Sequence, residues 1–237
     1  MYFAAKDQWW SGYESWQIVA RNIGSLCVVS VAITFLWELF GKRAFRDELL
    51  AKAGLSQEIR TAGLTKITDS FLRDLDWEPL FRTVSKLDIF FAYGQTWRNT
   101  HWEKLVAAAS RGIRVRVVLP DPEHDATVTE LAKRFNYTKD RVVELIKGAE
   151  KEFSQLGSKS SGAGTTVDIW YLPAAPLLTF YRFDFKAVIA LYTHRTERVP
   201  VPAFVVESPG TLYNFVRQEF DAMIDQKSGM AKCITRK

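Results

Sequence analysis

Hydrophobic positions first concentrate in one run, Ile23 to Phe40 (IGSLCVVSVAITFLWELF), which holds a single acid, Glu38. A bilayer core about 30 Å thick needs roughly 17–25 helical residues, so the run predicts a helix long enough to cross one. Ser25, Ser30, Thr34 and Glu38 recur at about helical spacing. Two readings are open: a span whose small and hydroxyl residues mark a helix–helix contact, or a buried core helix with a polar stripe. The flanks favour the span. Trp9, Trp10, Tyr13 and Trp16 precede it and Trp37 lies near its end, and such rings partition to the headgroup region. Lys42, Arg43 and Arg46 follow it closely, whereas Lys6 and Arg21 before it are sparse. The positive-inside bias then puts the N-terminus outside and the rest in the cytoplasm, as a single-pass inner-membrane protein.

The period changes after the run. From Arg43, RAFRDELLAKAGLSQEI has helical spacing and predicts a stalk over 43–63, with Gly54 and Gly63 as interruptions. Apolar runs then alternate with helical segments. LDIFFAYG (Leu87–Gly94) reads as a buried strand. A helix capped by Asn99 or Thr100 runs to Gly112. IRVRVVLPD (Ile113–Asp121) is the next strand, and Thr127 with Glu130 forms a capping box for a further helix. Another helix covers Lys139 to Leu156, and SKSSGAG is a loop. TTVDIWYL, one long strand over Leu177–Tyr192, AFVVE and a helix opened by Gly210 and Thr211 complete the pattern. Strand, helix and strand in this order predict an α/β fold: a mixed β-sheet flanked by helices, preceded by one transmembrane helix. The expected division is 1–42 for the N-terminal segment and span, 43–63 for the stalk, 64–230 for the α/β domain and 231–237 for a basic tail.

Composition narrows the chemistry. The formal charge is +5 with pI about 9.1. Part of it is the juxtamembrane cluster and Lys232, Arg236 and Lys237, where an anionic leaflet gives about 1 kcal/mol per charge. Nucleic acid is therefore possible as a partner but not favoured over the lipid bilayer. Cys27 and Cys233 lie in separate regions and do not suggest a disulfide, and with three histidines, His101, His124 and His194, a histidine-rich metal site is excluded. DPEHD (Asp121–Asp125) invites a metal, but its proline and its place after a strand fit a solvated loop. No metal and no cofactor are assigned.

Two segments carry candidate chemistry. In FYRFDFKAVIALYTHR, period-two alternation puts Arg182, Asp184 and Lys186 on one strand face and Tyr181, Phe183 and Phe185 on the other. That face is either a solvated or self-paired ladder, or a polar cleft in which Arg182 and Lys186 bind an anion. The second segment, Gly94 to Asn99, ends the first apolar strand, where open α/β sheets take ligands. The next helix offers its N-terminus to an anion. Thr96 lies at that turn, Arg98 adds charge, and Trp97 offers a stacking face for a base. An ordinary strand–helix turn is the alternative.

The order LDIFFAYG, helix, IRVRVVLPDPEHD, and later a strand with charge-x-Lys resembles the phospholipase D-like superfamily, as does the closing PAFVVE…GTLYNFVRQEFDAMI. The resemblance covers about Leu64 to Ile224. It implies a His-x-Lys motif in which the histidine attacks phosphorus and the lysine holds phosphate. Here Asp184, Phe185 and Lys186 align with it, so Asp184 stands at the nucleophile position. Leu191 stands where an aspartate belongs, and Thr193–Arg198 does not match the Gly/Ser-Asn segment. The resemblance also implies a homodimer, since one motif occurs per chain, with His194 and Arg195 near the rim of a shared pocket. The catalytic candidates are thus His194, Lys186 and Asp184, and the ligand-binding candidates Arg182, Arg195, Thr96, Trp97 and Arg98. The expected function is a membrane-anchored pseudoenzyme that binds a nucleotide or phosphorylated ligand and signals through its helix, with a role in bacterial defence conceivable by analogy of architecture. An active phosphodiesterase at the membrane surface and a structural oligomerising protein are the alternatives.

Overall fold

The computed structural model describes residues 14–37, 54, 56–160, 163–193, 200–225, 227 and 229–235. The chain divides into two compact units, Met1–Gln57 and Glu58–Lys237. The first contains helix α1 (Glu14–Leu36). Its segment Ser15–Leu36 is long and apolar enough to cross a membrane, and its apolar side chains, Leu26 and Val31 among them, are exposed. The helix starts nine residues before the apolar run does. Glu38, Phe40, the basic cluster and the first part of the expected stalk, 43–53, lie outside the described residues, as does 55. Within α1 the Thr34 hydroxyl donates to the Ser30 carbonyl at 2.8 Å, so this part of the stripe is satisfied inside the helix.

The second unit is built on one eight-stranded mixed sheet of order β1-β7-β6-β5-β2-β3-β4-β8. Its strands are β1 (Leu64–Thr68), β2 (Lys86–Phe90), β3 (Arg114–Pro120), β4 (Thr166–Leu172), β5 (Leu178–Phe183), β6 (Lys186–Leu191), β7 (Ala203–Glu207) and β8 (Lys232–Cys233). β2, β3 and β4 are parallel, and β5, β6, β7 and β1 continue antiparallel from β2. One face is covered by α2 (Glu78–Thr83), α3 (Gln95–Ala109), α4 (Asp125–Phe135) and α5 (Lys139–Ser160). The other face is covered by α6 (Thr211–Met223), which buries Tyr213, Val216 and Phe220. β3 is buried on both faces, as parallel strands between helices are.

The expected α/β architecture is therefore the one observed, with local departures. FYRFDFKAVIALY is not one strand but a hairpin: Phe183 pairs with Lys186 across a turn at Asp184 and Phe185. Asp184 takes the left-handed conformation, φ 45°, which aspartate tolerates better than most residues. Arg182, Asp184 and Lys186 consequently do not share a strand face. α3 begins at Gln95 rather than near Thr100, because Gly94 turns left-handed (φ 55°) directly after β2. α4 starts at Asp125 with His124 at its N-cap, and Thr127 bonds the His124 ring at 2.8 Å instead of opening a capping box. The expected basic tail supplies β8, antiparallel to β4.

Asp88 is fully buried under α6 and organises that face. Arg116 holds it bidentately, Nε at 2.6 Å and Nη2 at 2.8 Å, and the Arg182 guanidinium reaches the same carboxylate. Arg116 also donates to Asp221 at 3.2 Å and lies over the Phe220 ring. Two guanidiniums thus meet two carboxylates, which a buried charge requires.

The opposite face carries a buried histidine. His101 on α3 sits among Trp77, Phe81 and Trp97, with the Trp77 ring centroid 4.8 Å away, and neither ring nitrogen has a hydrogen-bond partner among the described residues. Burial, helped by Lys104, pushes its pKa down to about 4. The folded protein keeps His101 neutral, while the unfolded chain protonates it near its ordinary 6.5. Stability is therefore expected to fall by about 3 kcal/mol as pH drops from above 6.5 to about 4. Urea titrations of wild type and His101→Leu across that range check this: the difference between them should change with pH, and parallel curves would contradict it.

Candidate functional site

β2, β3, β4 and β6 run the same way, so the sheet has a carboxyl edge, where they end, and an amino edge. The two sequence segments fall on opposite edges. Asp184 and Lys186 lie at the amino edge, where β6 begins. The Asp184 carboxylate accepts the backbone N–H of Ser85 at 3.0 Å and of Lys86 at 2.8 Å, so it ties the hairpin turn to the start of β2. The Tyr213 hydroxyl, on α6, donates to the Asp184 carbonyl. Lys186 Nζ lies 2.8 Å from Glu207 Oε1 at the end of β7. Both charges have local partners, and Arg182 is buried on Asp88.

His194 and Arg195 lie outside the described residues. Thr193, the residue before them, is at the carboxyl edge beyond the end of β6. β6 rises about 17 Å from Lys186 to Leu191 at roughly 3.3 Å per residue. Thr193 therefore lies at the edge opposite to Lys186.

A cleft of about 570 Å³ opens at the carboxyl edge. It lies over β2, β5 and β6, where the chain order departs in opposite directions: β2 leads through α3 to β3, and β5 leads away to β6 and β7. Such switch points leave a crevice between diverging connections. Its lining includes Thr179, Tyr181, Tyr93, Phe135, Tyr137 and Tyr192. Tyr93 meets Phe135 edge-on at 5.3 Å, and Phe135 meets Tyr192 at 5.7 Å. Arg134 lies over Tyr192, 5.9 Å from its centroid, and donates to the Pro176 carbonyl and to Glu130.

Of the residues singled out at the first β-strand's end, Thr96 and Trp97 border this cleft and Arg98 does not. Trp97 is 1% exposed and stacked on Tyr181, centroids 4.4 Å apart, so its ring face is core. Arg98 is buried too. Its Nε donates to the Tyr93 carbonyl at 3.1 Å and its guanidinium pairs with Glu152 on α5. It fixes the turn that shapes the cleft. Phe135, Tyr137 and Tyr192 were not singled out by sequence. Their one signal is position: Phe135 ends α4, Tyr137 follows it two residues on, and Tyr192 directly follows β6.

No family model matches the chain, and no curated protein matches it in sequence. Among solved structures, it is similar to TrmBL2, an archaeal chromatin protein described as showing a novel mode of DNA binding. That likeness has 12% identity and a TM-score of 0.41, and covers 87% of this chain and 69% of the other. Phosphatidylserine synthase of Haemophilus influenzae is similar at 15% identity with a TM-score of 0.46, over 67% of this chain. The match spans 36% of the synthase. At these values neither neighbour speaks to the chemistry of this chain.

Proposed function

We propose that the chain is a membrane-anchored, phospholipase D-like binding module that does not hydrolyse phosphodiesters. In this reading α1 spans the bilayer, the second unit faces the cytoplasm, and two copies pair so that their apolar helices lie side by side. One observation carries the non-hydrolytic part. Lys186, the residue aligned with the phosphate-holding lysine, is neutralised by Glu207 at 2.8 Å, and Asp184 is spent on two backbone N–H groups of β2. A carboxylate already accepting two amide hydrogens is a poor nucleophile, since attack would forfeit both bonds. The absence of a histidine from that motif supports the same reading. Binding is assigned to the ring-lined cleft at the other edge, whose size is ordinary for a small-molecule site.

The test uses the full chain in detergent micelles with bis(p-nitrophenyl) phosphate. The expected result is no release of p-nitrophenolate above the buffer rate. Alkaline carbonate extraction of membranes checks the anchor: the protein should stay in the pellet, and its release would contradict a spanning α1.

A further inference from the structure

The sheet's two edges differ in charge. The segments that meet the amino edge, 82–86, 110–114, 159–160, 184–186 and 207–210, carry Arg82, Lys86, Arg111, Arg114, Lys159 and Lys186 against two acids, Asp184 and Glu207. Lys186 lies against Glu207, and Arg114 reaches Asp168, two residues into β4, at 3.3 Å. With Asp168 counted as well, six bases still face three acids. Arg111 is held by the carbonyl oxygens of Ala107 and Phe81, which leave its charge uncancelled. The segments that leave β1 and β3 at the carboxyl edge, 69–76 and 121–125, carry six acids against Arg73.

An exposed ring stands at the basic edge. Phe185, in the turn between β5 and β6, is 74% exposed. The backbone beneath it is pinned on both sides. The Ser208 N–H donates to the Phe185 carbonyl at 2.8 Å, and the Asp184 carboxylate binds the start of β2. Leu212, also exposed, lies in the first turn of α6, which starts from the same edge. Leu177 is 81% exposed but precedes β5 at the carboxyl edge, so exposure alone does not choose a face. Charge and the entry of the chain do. The Gly63 carbonyl accepts the Glu207 N–H at 2.8 Å, directly before β1. The chain coming from α1 therefore joins this unit at the amino edge. Lipid headgroups use all three features: anionic groups for the bases, an interface for the ring, and a bilayer at the far end of the tether.

We infer that the amino edge docks on an anionic leaflet of the membrane, with Phe185 among the headgroups and the bases over lipid phosphates and carboxylates. The inference rests on the reading that α1 spans that membrane. The cleft, at the opposite edge, then opens away from the bilayer.

The experiment places one bimane dye on the full chain, in a Cys27→Ser and Cys233→Ser background. The dye sits at Thr83→Cys, exposed at the end of α2 on the amino edge, or at Leu177→Cys on the other. The vesicles are phosphatidylcholine bearing headgroup nitroxides, with about one phosphatidylserine in four lipids. Relative to nitroxide-free vesicles, the dye at 83 should lose fluorescence and the dye at 177 should not. Raising salt from about 0.1 M to about 1 M shortens the screening length from about 10 Å to about 3 Å. That should remove most of the quenching, as should omitting phosphatidylserine. Phe185→Ser should weaken it too, with Tm unchanged because the ring is exposed. Equal quenching at both sites overturns the inference, as does quenching at 83 indifferent to salt, to phosphatidylserine and to Phe185→Ser. Protein that floats with the vesicles without quenching at 83 overturns it and leaves the spanning reading standing; protein that does not float sinks both. Absent quenching, a dye at 83 that responds to duplex DNA, or pyrene excimers there, would assign the face to nucleic acid or to a second copy and overturn the inference.

Discussion

Asp88→Ala is expected to destabilise the protein by about 3–5 kcal/mol, the cost of leaving buried charge without its partner. Asp88 is fully buried and receives both Arg116 and Arg182. Its removal leaves two guanidiniums under α6 with Asp221 as the remaining described carboxylate of the network. Urea denaturation should show a lower midpoint with little change in slope, as for a loss of stability without a change in surface exposed. Replacing all three residues together, Asp88→Leu with Arg116→Met and Arg182→Met, should recover most of the loss, because well-packed apolar groups of similar volume replace buried ion pairs at little cost. A single variant within 1 kcal/mol of wild type would show that water reaches the network.

Trp97→Ala is expected to cost about 3–5 kcal/mol as well, for a different reason. Its indole is stacked on Tyr181 and edge-on to Trp77, with Phe81 and His101 around it. Truncation opens a cavity at the centre of the core, and the neighbouring rings cannot collapse into it. Tyr137→Ala, at an exposed residue lining the cleft, should stay within about 0.5 kcal/mol of wild type, like other exposed substitutions. Thermal melts of the two variants separate a core ring, Trp97, from an exposed one lining the cleft, Tyr137. Equal destabilisation by both would contradict the placement of Tyr137.

Strands β2, β3, β4 and β7 are legible because each is a short apolar run closed by glycine, proline or a charge, and the amphipathic pattern finds α5 and α6. The hairpin at Asp184 was not. Its turn, Asp184 and Phe185, contains no glycine or proline, and the run from Ala187 to Leu191 is apolar at every position. The switch in parity, from Tyr181 and Phe183 facing one core to Val188 and Ala190 facing the same core, is thereby hidden. β8 is two residues long and has no pattern to read. Trp97 and Arg98 are candidates in the sequence because open α/β sheets take ligands at strand carboxyl ends; here the left-handed Gly94 starts α3 early and both side chains are buried. The cleft itself draws on six separated segments, so sequence gives its parts and only the strand order brings Tyr93, Phe135 and Tyr192 together.

Arginine placement tells the same story in electrostatic terms. Arg116 and Arg182 alternate with apolar residues exactly as solvated strand positions would, and period alone does not distinguish the face under α6 from water. What separates them is Asp88, a lone acid inside LDIFF. A carboxylate in an otherwise apolar strand needs a cation on a neighbouring strand, and Arg116 on β3 and Arg182 on β5 are its register partners.

The central claim is that the His-x-Lys-like corner is structural and the carboxyl-edge cleft is functional. Hydrolysis of bis(p-nitrophenyl) phosphate by the full chain, measured beside Lys186→Ala and His194→Ala, tests it most directly. The account predicts the buffer rate for all three proteins. Turnover by the wild type that either substitution abolishes would contradict it.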